Sequence, residues 1–194
     1  MNNYLNSAIK EFKFYKILGE KTFVQVPGEK LCWKYSAHSN SIGIIVKHLS
    51  GNMISRWTNF LTQDGEKKWR NRDAEFENDI ISRKNLLEKW NEGWECLFNA
   101  LSSLTEADLE KEIYIRNQGH TVLEAINRQL THYSYHIGQI VFIGKIICAD
   151  NWTSISIPLG KSEIFNNKKF SKPKHKEHYT GKVIGKTKSR AKRF

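Results

Sequence analysis

Apolar residues recur at helical spacing from about Thr121 to Cys148, and this pattern limits the fold more than any other feature of the chain. Thr121 is a suitable N-cap, and Glu124 three residues later completes a capping-box sequence. The same spacing predicts three further helices, over residues 2–25, from about Ser39–Ser41 to Leu61, and from about Asp79 to Leu104. The sequence therefore predicts four long helices and no recurring strand pattern.

Four long helices in a chain of 194 residues are typical of an all-α four-helix bundle, in which each helix buries one apolar face. The first two connections are longer than tight hairpins, so periodicity alone leaves the order of the helices open. The segment Thr105–Gly119 is predicted to be a loop with a short extended piece at IYIR.

The sequence also excludes several classes of protein. No apolar run approaches the roughly 18–20 residues that span a bilayer, and the N-terminus lacks the apolar core of a signal peptide. The three cysteines are far apart and form no CxxC pair, which favours reduced thiols. We therefore expect a cytoplasmic protein without a disulfide framework.

Positive charge is concentrated at the C-terminus. Residues 1–160 hold 19 Lys+Arg against 18 Asp+Glu, whereas residues 161–194 hold 12 against 2. We expect a helical domain over residues 1–164 and a basic, flexible tail over residues 165–194. Such a tail is typical of a solvated extension, and it would also attract nucleic-acid phosphates.

His132 and His136 lie four residues apart in the fourth predicted helix. At 100° per residue the two side chains are about 40° apart, within the same sector as the apolar positions Ile140 and Ile143. Both rings are therefore expected to face the interior, about 6 Å apart along the helix axis. This is the spacing with which two histidines on one helix bind a single metal ion.

His48, in the second predicted helix, is the candidate for a third ligand, because polar positions flank it beside the apolar stripe. Three histidines would leave a coordination position open for water or substrate. Gln129 and Gln139 lie near enough on the helix to form hydrogen bonds to the histidine rings. Because the chain has seven histidines, a chance pair that merely packs in the core stays open as an alternative.

Three separated blocks of this sequence resemble one known superfamily. They are KHLSGNMISRWTNFLTQDGEKKWRNRDAEF, RQLTHYSYHIGQIVFI and SIPLGKS, in that order. Together they are similar to the DinB-like or YfiT-like metalloenzymes, and more narrowly to a bacterial subgroup known only as a domain of unknown function. The resemblance covers roughly residues 1–165 and omits the tail.

The resemblance implies a four-helix bundle with up-down-down-up topology and a long crossover between the second and third helices. It also implies a divalent metal held by one histidine of the second helix and the paired histidines of the fourth, which here are His48, His132 and His136. Relatives in the superfamily include thiol S-transferases that use bacillithiol or mycothiol, and members often form homodimers.

From this we expect a metal-dependent transferase or hydrolase acting on a small electrophile, with Zn, Ni, Fe or Mn and a low-molecular-weight thiol as cofactors. Arg56, Arg70, Arg72 and Arg128 are candidates for binding an anionic substrate or thiol, and of these Arg56 and Arg128 are the predicted binding residues. No glutamate follows His132 as a general base, so Tyr133 or water would have to serve. The alternatives are a non-catalytic stress-response protein that binds metal, or association with nucleic acid through the tail.

Overall fold

The structure is a computed structural model that describes residues 3–80, 82–181 and 183–184. Over these residues the chain is mostly helical, which confirms the all-α prediction in its broad form. The helices are α1 (Asn3–Gln25), α2 (Ile42–Trp57), α3 (Arg83–Ser102), α4 (Val122–Cys148) and α5 (Ser162–Phe170), and the strands are β1 (Glu112–Ile115) and β2 (Gln118–Thr121).

Side-chain caps set the starts of the long helices. The Ser41 hydroxyl accepts the backbone N–H of Ile44 at the start of α2, and Ser82 caps α3 in the same way. At α4, Thr121 and Glu124 form the predicted capping box, with each side chain accepting a backbone N–H from the other residue.

The predicted second helix was too long at its C-terminal end. It was expected to continue to Leu61, but α2 ends at Trp57 because Thr58 is extended and Asn59 adopts a left-handed conformation with φ 48°. The chain then crosses from α2 to α3 through residues 58–82, and this segment contains a 3-10 turn, Asp73–Phe76.

The predicted loop before α4 contains a β-hairpin. β1 and β2 pair antiparallel, with Glu112 opposite Thr121 and Ile115 opposite Gln118. The two turn residues, Arg116 and Asn117, both have positive φ, as a tight two-residue hairpin turn requires. The extended piece expected at IYIR is thus a strand, but its pairing partner was not predicted.

The four long helices bury a common apolar core. The most extensive contacts join α2 to α3 and α1 to α4, and further contacts join α2 to α4 and α1 to α3. Large aromatic side chains fill the centre, where the rings of Phe23 and Trp90 lie 4.9 Å apart and Tyr133 is fully buried. Because α2 and α4 contact each other, residues on their facing sides can form one site.

The described part of the basic tail is not wholly solvated. Helix α5 buries no side chain, but the residues after it return to α1. There the Thr180 side chain is fully buried, His178 Nε2 lies 3.1 Å from Ser7 Oγ, and the Tyr179 hydroxyl donates to Glu11. The sequence predicted neither α5 nor these contacts, and the prediction of a flexible tail at residues 185–194 lies outside the described residues.

Within the described ranges, none of the helices combines the length and apolar character that crossing a bilayer requires.

Candidate metal centre

The structure brings together the three histidines that helical spacing had predicted. His48 on α2 faces His132 and His136 on α4, and one ring nitrogen of each residue lies within 4.8 Å of the others. His132 Nε2 is 3.3 Å from His48 Nε2 and 3.1 Å from His136 Nε2. Two tetrahedral ligands at Zn–N distances of 2.0–2.1 Å would be about 3.3 Å apart, so the separations suit a shared ion.

The three imidazoles lie in a poorly solvated region. His48 is buried, and His132 and His136 are half-buried. Burial, with repulsion from the neighbouring histidines, lowers the pKa of His132 to about 3. Burial likewise lowers the pKa of His136, although the Gln139 hydrogen bond opposes the shift. Both rings are therefore neutral near pH 7, which is the form that binds metal.

Each histidine has a hydrogen-bond partner at Nδ1, its second ring nitrogen. His48 Nδ1 lies 3.0 Å from Glu75 Oε2, His136 Nδ1 lies 2.7 Å from Gln139 Oε1, and His132 Nδ1 lies 3.4 Å from Gln129 Oε1. An acceptor at Nδ1 favours the tautomer that directs the Nε2 lone pair into the centre. The predicted positions of Gln129 and Gln139 agree with this arrangement, but the sequence did not indicate Glu75.

Glu75 lies in the 3-10 turn of the crossover and is buried. The Arg70 guanidinium donates to both of its oxygens, at 2.7 and 3.0 Å. Burial by itself would raise the pKa of Glu75, but the hydrogen bonds from His48 and Arg70 and the charge of Arg70 lower it overall. The carboxylate is therefore ionised when it accepts the His48 N–H.

The close approach of Glu75 to α2 depends on a glycine. A Cβ atom at Gly51 would lie 2.7 Å from the Glu75 carboxyl carbon, closer than non-bonded carbon atoms tolerate. Gly51 therefore leaves room for the carboxylate between the crossover and the helix that carries His48.

A cavity of about 530 Å³ opens beside the centre. His48 and His132 form part of its wall, so the candidate centre is accessible from this side. The other lining residues are polar, basic or aromatic: Asn52, Arg56, Arg70, Arg72, Arg116, Arg128, Gln129, Thr131 and Tyr135. Among the described residues, no carboxylate lines this cavity.

The two arginines predicted to bind an anionic group both line the cavity, but their surroundings differ. Arg56 is buried and donates to Glu66 Oε2 from two guanidinium nitrogens at 3.2 Å, and also to the Gly65 carbonyl. Arg128 is exposed, and its Nη1 lies 3.0 Å from His120 Nε2. Arg56 thus fastens the crossover to α2, whereas Arg128 faces the solvent side of the cavity.

Tyr133, considered as a general base from the sequence, does not line the cavity. Its hydroxyl donates to Asn52 Oδ1 at 3.1 Å and accepts the Trp57 indole N–H at 3.2 Å. Complete burial raises the pKa of Tyr133 well above its usual range. Tyr133 is therefore a packing residue with a satisfied hydroxyl, and it cannot reach a substrate beside the histidines.

The fold and the three-histidine cluster define a mainly helical protein with a candidate metal centre between two of its long helices. Residues 1–161 match the family described as protein of unknown function (DUF1572), so the chain belongs to that family. No curated protein and no solved structure gives a significant match.

Proposed function

We propose that this protein is a divalent-metal-dependent enzyme with the DinB-like four-helix bundle fold and its up-down-down-up topology. The ion, one of Zn, Ni, Fe and Mn, would be held by His48, His132 and His136. The observation that carries the proposal is the convergence of one ring nitrogen from each of the three histidines, within 4.8 Å of one another, beside a cavity that His48 and His132 line. When bound, the ion would lower the pKa of a coordinated thiol or water.

The reaction we propose is transfer of a low-molecular-weight thiol to a small electrophile, with hydrolysis as the second choice. Hydrolysis commonly needs a general base beside the attacking water. Over the described ranges, the cavity wall supplies no carboxylate, and the Tyr133 hydroxyl is engaged in the core. A thiol needs no such base once it is deprotonated, which favours thiol transfer.

The residues of the chain have separate tasks in this proposal. Glu75, Gln129 and Gln139 hold the ring nitrogens in place, and they prevent the rings from turning as ligands exchange. The cavity admits the thiol and the electrophile on the side lined by His48 and His132.

Metal binding is tested by elemental analysis of the purified protein. We expect about one divalent ion per chain, and its loss in His132→Ala. His38→Ala is the matched control, because it removes an exposed imidazole outside the centre and should leave the metal content unchanged. Absence of metal from the wild-type protein after reconstitution would refute the proposal.

The reaction is tested by a transfer screen with bacillithiol, mycothiol, coenzyme A and glutathione against a panel of electrophiles. Activity should require the metal and disappear in His132→Ala. A protein that binds metal but transfers none of these thiols, and hydrolyses none of the electrophiles, would instead be the non-catalytic metal-binding protein considered above.

We also propose that the protein is a homodimer. Tyr135, Phe142 and Ile146 lie on one face of α4 and expose 63%, 64% and 43% of their surface. Sedimentation velocity should give a dimer that dissociates in Phe142→Glu. The matched control, Val24→Glu, changes an apolar residue on α1 that is even more exposed, at 80%, and should leave the dimer intact.

A further inference from the structure

The cavity beside the candidate metal centre is strongly basic. Five arginines line it and come from separate parts of the chain: α2, the crossover, the hairpin turn and α4 contribute Arg56, Arg70, Arg72, Arg116 and Arg128. Guanidinium groups brought together from distant segments repel one another unless carboxylates or a bound anion offset their charge.

The protein's own carboxylates offset only part of this charge. Glu66 is shared by Arg56, Arg70 and Arg116, and Glu75 pairs with Arg70. In the described part of the chain, Arg72 and Arg128 have no carboxylate within ion-pair distance.

The surroundings of these two arginines leave their charge uncompensated. The Arg72 guanidinium lies 5.0 Å from the Phe76 ring, and Arg128 contacts the His120 ring. Both side chains are on exposed residues that line the cavity, so their N–H groups can reach a ligand.

The hairpin turn that carries Arg116 is fixed in place. Arg116 and Asn117 adopt left-handed conformations, with φ 55° and 61°, which asparagine tolerates but arginine adopts less readily. The Asp64 carboxylate accepts both of their backbone N–H groups at 2.8 Å, and Gly65 N–H donates to the Tyr114 carbonyl. The backbone of the hairpin turn that carries Arg116 is therefore fixed to the crossover at Asp64 and Gly65.

We infer that the cavity binds a small molecule through a carboxylate or phosphate group, which Arg72 and Arg128 contact. Paired N–H donors on a guanidinium match the oxygens of either group. This inference deepens the proposed function and rests on it, because it assigns an anionic group to the thiol or the electrophile that meets His48 and His132. The anionic group lies at the arginine side of the cavity and the reacting group lies at the histidine side.

Calorimetric titration tests the inference with two probes, inorganic phosphate and succinate, on the full-length protein. The two probes distinguish a phosphate group from a carboxylate as the preferred ligand. Charge-assisted hydrogen bonds are strong enough that Arg72→Gln with Arg128→Gln should weaken binding of the preferred probe at least tenfold. The metal content of this double variant should equal that of the wild type.

The matched control is Lys84→Gln with Lys145→Gln, which removes two positive charges from exposed positions outside the cavity. Its affinity for the probe should stay within twofold of the wild type. His132→Ala should lose metal yet keep the anion, which separates the two sites.

Failure of the inference and failure of the proposed function give different results. Wild-type protein that binds neither probe, or a double arginine variant that binds as tightly as the wild type, overturns the inference. Affinity that is lost in His132→Ala and kept in the arginine variant assigns the anion to the metal, and also overturns it. Anion binding that depends on the arginines, in a protein that never takes up metal, supports the anion site and refutes the metal-dependent enzyme.

Discussion

Replacement of Glu75 by glutamine would test how far the candidate metal centre depends on the crossover. The Glu75 carboxylate accepts the His48 Nδ1–H and two N–H groups of Arg70. Glutamine keeps the size of the side chain but removes the charge, and one of its two polar atoms can only donate. At least one of the three N–H groups then loses its acceptor.

The expected magnitude follows from these two contacts. Loss of a partner that orients a metal-binding histidine typically weakens metal binding 10- to 100-fold, or about 1.4–2.7 kcal/mol. Loss of one member of a buried ion pair costs about 3–5 kcal/mol. Glu66 Oε2 remains 3.7 Å from Arg70 as a second partner, so we expect a loss near the lower end, about 3 kcal/mol.

Two assays measure these effects independently. Titration against a competing chelator gives the metal affinity, and urea unfolding of the metal-free protein gives the change in stability. Glu77→Gln is the matched control, because it removes an exposed carboxylate two residues away and should change stability by less than about 0.5 kcal/mol. A folded Glu75→Gln protein that binds metal as tightly as the wild type would refute the orienting role of Glu75.

Three further predictions concern neighbouring contacts. Gly51→Ala should displace the Glu75 carboxylate and weaken metal binding about tenfold, measured by the same chelator titration. Thr121→Ala removes the cap of α4 and should lower the free energy of unfolding by about 1 kcal/mol in urea. Burial alone would raise the pKa of Asp64, but hydrogen bonds from backbone N–H groups lower it overall. The stabilisation that Asp64 provides is therefore fully present above the pKa of an aspartate in the unfolded chain, and it is lost as the pH falls through the lower pKa of Asp64 in the folded protein. The protection factors of the two hairpin-turn amides, which compare their exchange rates with those of an unfolded chain at the same pH, should therefore fall on acidification, and Asp64→Asn should remove that fall.

The three histidines could be predicted from the sequence because they lie within uninterrupted helices. A fixed rotation per residue places His132 and His136 on one face of α4, and it places His48 beside the apolar face of α2. The structure brings these positions together since the two helices contact each other directly. The sequence did not predict which residues of the irregular segments form hydrogen bonds to these histidines.

Glu75 and Arg70 illustrate that limit. Both lie in the crossover, where no periodic pattern relates a residue to a direction in space, and Glu75 is five residues from Arg70 in a run of charged side chains. The hairpin escaped prediction for a related reason, because Gly119 and His120 in β2 lack the β-branched or aromatic character of a typical strand. Helix α5 buries no side chain and so leaves no apolar pattern to detect.

The position of the histidines also has a mechanical consequence. His48 and His132 are 84 residues apart in sequence, and they join α2 to α4, whereas the most extensive packing joins α2 to α3 and α1 to α4. An ion bound by both α2 and α4 would link the α2–α3 pair to the α1–α4 pair and would close a long loop of the chain. A cross-link that closes a long loop removes more conformational entropy from the unfolded chain than one that closes a short loop. At a free-ion concentration 100 times the Kd, the gain would be about 2.7 kcal/mol. The supply of metal would then set the fraction of molecules that are folded.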